Sequence, residues 1–199
     1  MLSSFSDDYP QQSVLTSVQF EDAGLHPTMM ENVALCGYKY PTPIQRFAIP
    51  AVLHGKDVVG IAQTGKKTYQ ILWTIIIDTF TGSGKTAAYL VPILSRLMGK
   101  AKLMAAPRPK PGDDMAARVT AEPLVLIICP TRELACQIFD ECRRLCYRSM
   151  LRPCVIYGGA PVREQKMALE KGCDILVATP GRFQDFLKDP RLLLFGRLK

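Results

Sequence analysis

The sequence predicts an α/β fold, a doubly wound parallel sheet with flanking helices. Two observations carry that prediction. Short apolar segments at 58–62, 124–129, 154–157 and 175–178 are bounded by turn residues, as strands buried on both faces are. Each gives way to a stretch of helical character, and strand–helix alternation is the pattern of a parallel sheet with crossover helices.

Taken in order, residues 1–17 are polar and read as a disordered leader, with one domain expected over 18–199. His26-Pro27-Thr28 opens a helix that runs through Cys36 and ends at Gly37. Pro41-Thr42-Pro43 starts a second, to about Leu53, closed by Gly55. Further helices are expected over 85–97, 132–146, 162–170 and 181–187. Residues 99–122 carry three prolines and no apolar period, which predicts a solvated surface loop with an excess of positive charge.

Composition bounds the function. With 48% apolar residues the chain has enough to bury a core. Lys and Arg outnumber Asp and Glu 25 to 18, and the net charge of +7 suits a polyanionic partner. The seven cysteines are odd in number and form no C-x-x-C pair, so they read as reduced thiols of a cytoplasmic or nuclear protein. Cys142 and Cys146 are helix neighbours without a nearby histidine, which argues against a metal site. The most apolar run, 71–77, is far shorter than the roughly 20 residues a membrane helix needs, and the first residues lack a secretory signal.

The strongest chemical signal is Thr81-Gly82-Ser83-Gly84-Lys85-Thr86. Such a glycine-rich turn wraps backbone N–H groups around phosphates at a helix start. The lysine reaches the outer phosphates and the threonine hydroxyl ligates Mg2+. The full pattern also has glycine where Thr79 stands. Ala62-Gln63-Thr64-Gly65 repeats the Thr-Gly pair 17 residues upstream, and removing one 17-residue window gives AQTGSGKT directly behind the strand at 58–62. Buried strand, tight turn and helix are what a phosphate loop requires. The anomalous insert at about 65–81 therefore reads as translated intron. Its codons are compatible with GT-AAG at one end and a pyrimidine tract with ACAG at the other. A genuine loop insertion would uncouple the turn from its strand. While present, 75–77 competes with 58–62 for one slot in the sheet.

Further motifs are more specific. Phe20 lies 17 residues before Gly37, and residues 37–45 read Gly-Tyr-Lys-Tyr-Pro-Thr-Pro-Ile-Gln. Pro130-Thr131-Arg132-Glu133-Leu134-Ala135, Gly158-Gly159 and Thr179-Pro180-Gly181-Arg182 each follow an expected strand, which places all three at the carboxyl edge of the sheet, where open α/β folds bind ligands. Together these strings resemble the Q motif, motif Ia, the GG motif and motif Ib of the DEAD-box ATP-dependent RNA helicases, over residues 20–199. The segment 26–50 and the long loop are similar to the Ded1-like branch of that family.

The resemblance implies an incomplete RecA-like (P-loop NTPase) domain and an enzyme that hydrolyses ATP while acting on RNA. It implies ATP and Mg2+ as cofactors. Gln45 would read the adenine edge with its amide and Phe20 or Tyr40 would stack on the ring. Thr81, Gly82, Ser83, Gly84, Lys85 and Thr86 would hold the phosphates, with Thr86 on Mg2+. Pro130, Thr131, Arg132, Gly158, Gly159, Thr179, Pro180, Gly181 and Arg182 would hold one RNA backbone irrespective of sequence. The chain reads as a monomer, with no protein partner indicated. No Asp-Glu-Ala-Asp string occurs in it. As a truncated fragment it is thus expected to lack catalytic residues and ATPase activity, the alternative being a non-catalytic nucleotide- or RNA-binding product of a mis-spliced gene.

Overall fold

The structure, a computed structural model, describes residues 19–60, 84–104, 108–109 and 118–198. The expected leader, the insert at 65–81 and the loop residues Thr81, Gly82 and Ser83 lie outside the described residues.

Helices α1 (Pro27–Leu35) and α2 (Pro43–Leu53) come first, then α3 (Lys85–Met98) and a short α4 (Ala101–Met104). Strand and helix then alternate: β1 (Val125–Ile128), α5 (Arg132–Leu145), β2 (Pro153–Ile156), α6 (Val162–Leu169), β3 (Ile175–Ala178) and α7 (Pro180–Leu187). The described strands form one parallel sheet in the order β1-β3-β2. Ala178 stands level with Ile128 on one side and Ile156 on the other. The three strands therefore end together, and the three segments that follow them leave from one edge.

All four residues of β3 are buried, and the period-2 alternation of a strand sorts them to two faces. Ile175 and Val177 join Met29 and Val33 of α1, Leu90 and Leu94 of α3, and Ile138 and Leu145 of α5. Leu176 and Ala178 join Leu169 of α6, Phe186 of α7 and the following Leu192 and Leu193. The result is the helix–sheet–helix layering that alternation predicts. Leu90 and Leu94 are fully buried, so shortening either to alanine costs about 2–5 kcal/mol.

Three expectations need correction. Residues 58–60 form no strand among the described residues, because a strand exists only with a partner to pair with, and none of β1 to β3 pairs with them. The stretch 99–122 is not loop throughout: it opens with α4, and it closes with Ala121, fully buried and bridged in parallel to Leu193. Arg108 within it is ion-paired at 2.8 Å to the buried Asp174. Finally α7 begins at Pro180, whose fixed φ suits the first helical position. All seven cysteines are free thiols and five are buried. Among the described residues no helix is long and apolar enough to cross a membrane.

Candidate functional site

The first half of the site sits where α2 meets α3. Thr42 caps α2, and Gln45 at the third helical position accepts from the Thr42 backbone N–H through Oε1 at 3.0 Å, one arm of a capping box. The same side chain, only 1% exposed, donates from Nε2 to the Gly84 carbonyl at 2.9 Å. That carbonyl also takes the first helical bond of α3, from Ala88 N at 3.0 Å. Gly84 is the N-cap, with φ +73°. A Cβ there would lie 2.3 Å from Gln45 Nε2 and 2.9 Å from Thr42 Oγ1, so glycine alone fits. Lys85 and Thr86, both half-buried, follow in the first turn, where helical N–H groups have no helical acceptor and the helix dipole is positive.

The expected aromatics part company. Phe20 is 2% exposed and packed into the core with α1 and α3, so its ring offers no free face to a ligand. Tyr40 is 71% exposed. The buried Gln45 amide, expected to face adenine, is engaged with Thr42 and Gly84.

The second half lies along the common carboxyl edge of the strands. After β1, Thr131 caps α5 by accepting from Leu134 N at 3.3 Å. Arg132 is exposed and its Nε lies 2.7 Å from Glu133 Oε1. This contact raises the arginine further and holds the Glu133 carboxyl below the usual carboxylate range. After β2, Gly158 and Gly159 are exposed, and Gly159 has φ +83°. A Cβ on Gly159 would sit 3.5 Å from Arg132 Nη1, so these two loops touch. The Tyr157 phenol beside them is pushed up, chiefly by the Cys136 thiol. After β3, Thr179 precedes α7, and Phe183 N bonds back to the Thr179 carbonyl at 3.0 Å. Pro180 and Gly181 are exposed. Arg182 is turned inward: both outer nitrogens lie 3.3 Å from the Ala160 carbonyl oxygen.

The structure thus joins Gln45 to Gly84, and brings Arg132, Gly159, Ala160 and Arg182 together at one sheet edge. No motif points to Gln165, 7% exposed on α6, which bonds both backbone groups of Tyr157. A glutamine in a mostly polar helix carries no motif, and only its place in space marks it out. Among the described residues no group of three or more His, Cys, Asp or Glu side chains is arranged to hold a metal ion.

A family model described as DEAD/DEAH box helicase matches residues 42–199. Among solved structures, the fold is similar to the crystal structure of the RNA helicase Prp28 from Chaetomium thermophilum bound to ADP, with a TM-score of 0.65 and 33% sequence identity. That match covers 92% of this chain and 37% of the Prp28 chain.

Proposed function

This chain belongs to the DEAD/DEAH box helicase family, and from that premise we propose that it binds an adenine nucleotide where α2 meets α3 and one RNA backbone along the carboxyl edge of its sheet. The fold is that of a RecA-like helicase domain, as in Prp28. The observation that carries the RNA reading is the convergence of Arg132, Gly159 and Arg182 on adjacent strand ends. Guanidinium, glycine amide and helix-start groups suit phosphates, and none of them is specific for a base edge. The RNA contacts are Pro130, Thr131, Arg132, Gly158, Gly159, Thr179, Pro180 and Gly181, with sequence-independent affinity; Arg182, expected among them, is engaged with Ala160 and braces the turn instead.

For the nucleotide, the residues present fit the group. Gly84 is packed so closely against Gln45 and Thr42 that only glycine fits in its left-handed conformation, and Lys85 and Thr86 stand at the start of a 14-residue helix. The Prp28 structure was solved with ADP, which supports the same ligand class. Lys85 would meet phosphate charge, Thr86 would offer its hydroxyl to Mg2+, and Tyr40 is the aromatic with a free face. Bound ATP with Mg2+ would supply the phosphoanhydride whose hydrolysis powers strand release. Gln45 holds the Gly84 carbonyl in place, beside where adenine would lie on this reading.

The whole enzyme on this reading is an ATP-dependent RNA helicase, a cytoplasmic or nuclear monomer of the Ded1-like branch. The 199-residue polypeptide itself carries no Asp-Glu-Ala-Asp string, which favours binding without turnover for this chain alone. Titration with a fluorescent ADP analogue and with labelled oligouridine tests the binding, and phosphate release tests the turnover. Saturable binding of both ligands without RNA-stimulated phosphate is expected. Failure to bind either ligand contradicts the reading.

A further inference from the structure

The Gly158-Gly159 turn is gripped from both sides by side chains on other elements. Gln165 of α6 accepts from Tyr157 N with Oε1 at 3.0 Å and donates from Nε2 to Tyr157 O at 3.1 Å. Both backbone groups of the residue entering the turn are thereby fixed. At the exit, Arg182 of α7 donates through both outer nitrogens to Ala160 O at 3.3 Å. Its guanidinium lies 5.6 Å from the Phe186 ring centroid, which limits its freedom to swing out. Between the grips, Gly158 and Gly159 are exposed, and a Cβ on Gly158 would meet nothing within 4 Å.

A pair of glycines is conformationally loose, and ordering it on a ligand is entropically costly. A turn ending in a left-handed residue aims successive N–H groups outward as a seat for an anion. Holding that turn in shape before binding moves the ordering cost from the binding step to folding. We propose that Gln165 is a positioning residue for RNA: it fixes the Gly158-Gly159 amides in a phosphate-accepting arrangement without touching the ligand, with Arg182 as its counterpart across the turn. This rests on the RNA reading above.

Charge separates positioning from contact. Removing a phosphate-neutralising cation lowers the slope of log affinity against log salt by about 0.7 on a single strand. Gln165 has no charge, so its loss weakens binding with the slope unchanged. The experiment uses the full chain and labelled oligouridine, with anisotropy read over a salt series. Gln165→Leu is expected to bind about tenfold more weakly at unchanged slope, with faster amide exchange at 157–160 and a retained thermal transition. Arg132→Gln is expected to lose both affinity and slope. Gln165→Asn stays neutral and keeps an amide but is one methylene too short to hold both Tyr157 groups, and is expected to fall between at the same slope; it decides the matter if the leucine variant does not fold. Wild-type affinity in whichever Gln165 variant folds overturns the proposal, as does a loss of slope. If the wild-type chain binds no RNA, the functional reading fails and this inference falls with it, an outcome distinct from equal binding by variant and wild type.

Discussion

Gln45 and Gly84, 39 residues apart, are joined by a hydrogen bond from a buried side-chain amide to the carbonyl that starts α3. If the proposed nucleotide seat lies here, nucleotide affinity and local stability are coupled through this bond. Gln45→Leu removes the tie to Gly84 and one acceptor of Thr42 N, costing about 1–3 kcal/mol in a urea melt. Gly84→Ala forces a side chain into a left-handed position, about 1–2 kcal/mol before any clash, and displaces Gln45 from a Cβ 2.3 Å away. Both variants should lose at least tenfold in affinity for a fluorescent ADP analogue. Affinity within twofold of wild type in the folded Gly84→Ala chain would show that this junction is not the nucleotide seat.

Glu133 competes for Arg132. The ion pair at 2.7 Å occupies the guanidinium that the RNA backbone would use. Glu133→Gln should tighten oligouridine binding a few-fold and steepen its salt dependence, since repulsion of phosphate by a carboxylate is removed as well. The carboxyl is held low by Arg132, so the pair is lost only on acidification through that depressed range. Wild-type affinity should accordingly be flat between about pH 6 and pH 8 as far as this pair is concerned. A Glu133→Gln chain that binds more weakly would mean that the carboxylate helps to orient Arg132.

Four buried thiols titrate late. Burial pushes Cys129 and Cys146 from 9.0 up to about 12, and raises Cys142 and Cys173 well above the ordinary value. A thiol raised in the fold keeps its proton after the unfolded chain has lost it. Stability from these groups is intact below about 9 and falls as pH climbs toward about 12. At neutral pH a thiol reagent should label Cys136 first, Cys36 more slowly because burial pushes its thiol up, and the five buried cysteines only after denaturation. Rapid labelling of all seven in native buffer would contradict this packing.

How much of this was legible in the sequence depended on how local the cause was. Four apolar residues between Asp174 and Thr179 could only be a buried strand, and β3 matches its expected limits, while β1 and β2 shift by a residue or so at their ends. Pro27, Pro43 and Thr131 mark helix starts by chemistry confined to one turn. The bridge from Ala121 to Leu193 and the Gln165 grip on Tyr157 were invisible, because each depends on partners brought together by the fold. Phe20 shows the opposite failure: its spacing matches a family pattern, yet its ring is spent on the core. Ala101–Met104 is helical because these residues are good helix formers, a local signal that the prolines following it mask in the sequence.

The proposal that 65–81 is translated intron gives a further expectation. A chain lacking those residues reads AQTGSGKT across the junction. It should bind the ADP analogue at least tenfold more tightly than the chain with them, because the glycine-rich turn then directly follows the apolar segment at 58–62, which is free to pair as a strand. Genomic sequence across codons 64–82 should show a donor and an acceptor splice site. Equal affinity together with uninterrupted coding sequence would establish the segment as part of the protein.

On the proposed function, three loops at one sheet edge hold a single RNA backbone. Hydrogen exchange of the full chain with and without saturating oligouridine tests it most directly. Slowed exchange confined to residues 130–135, 158–160 and 179–182, with the body of the helices unchanged, is the predicted result. Protection on the far ends of the strands, or none at these loops while RNA is bound, would contradict it.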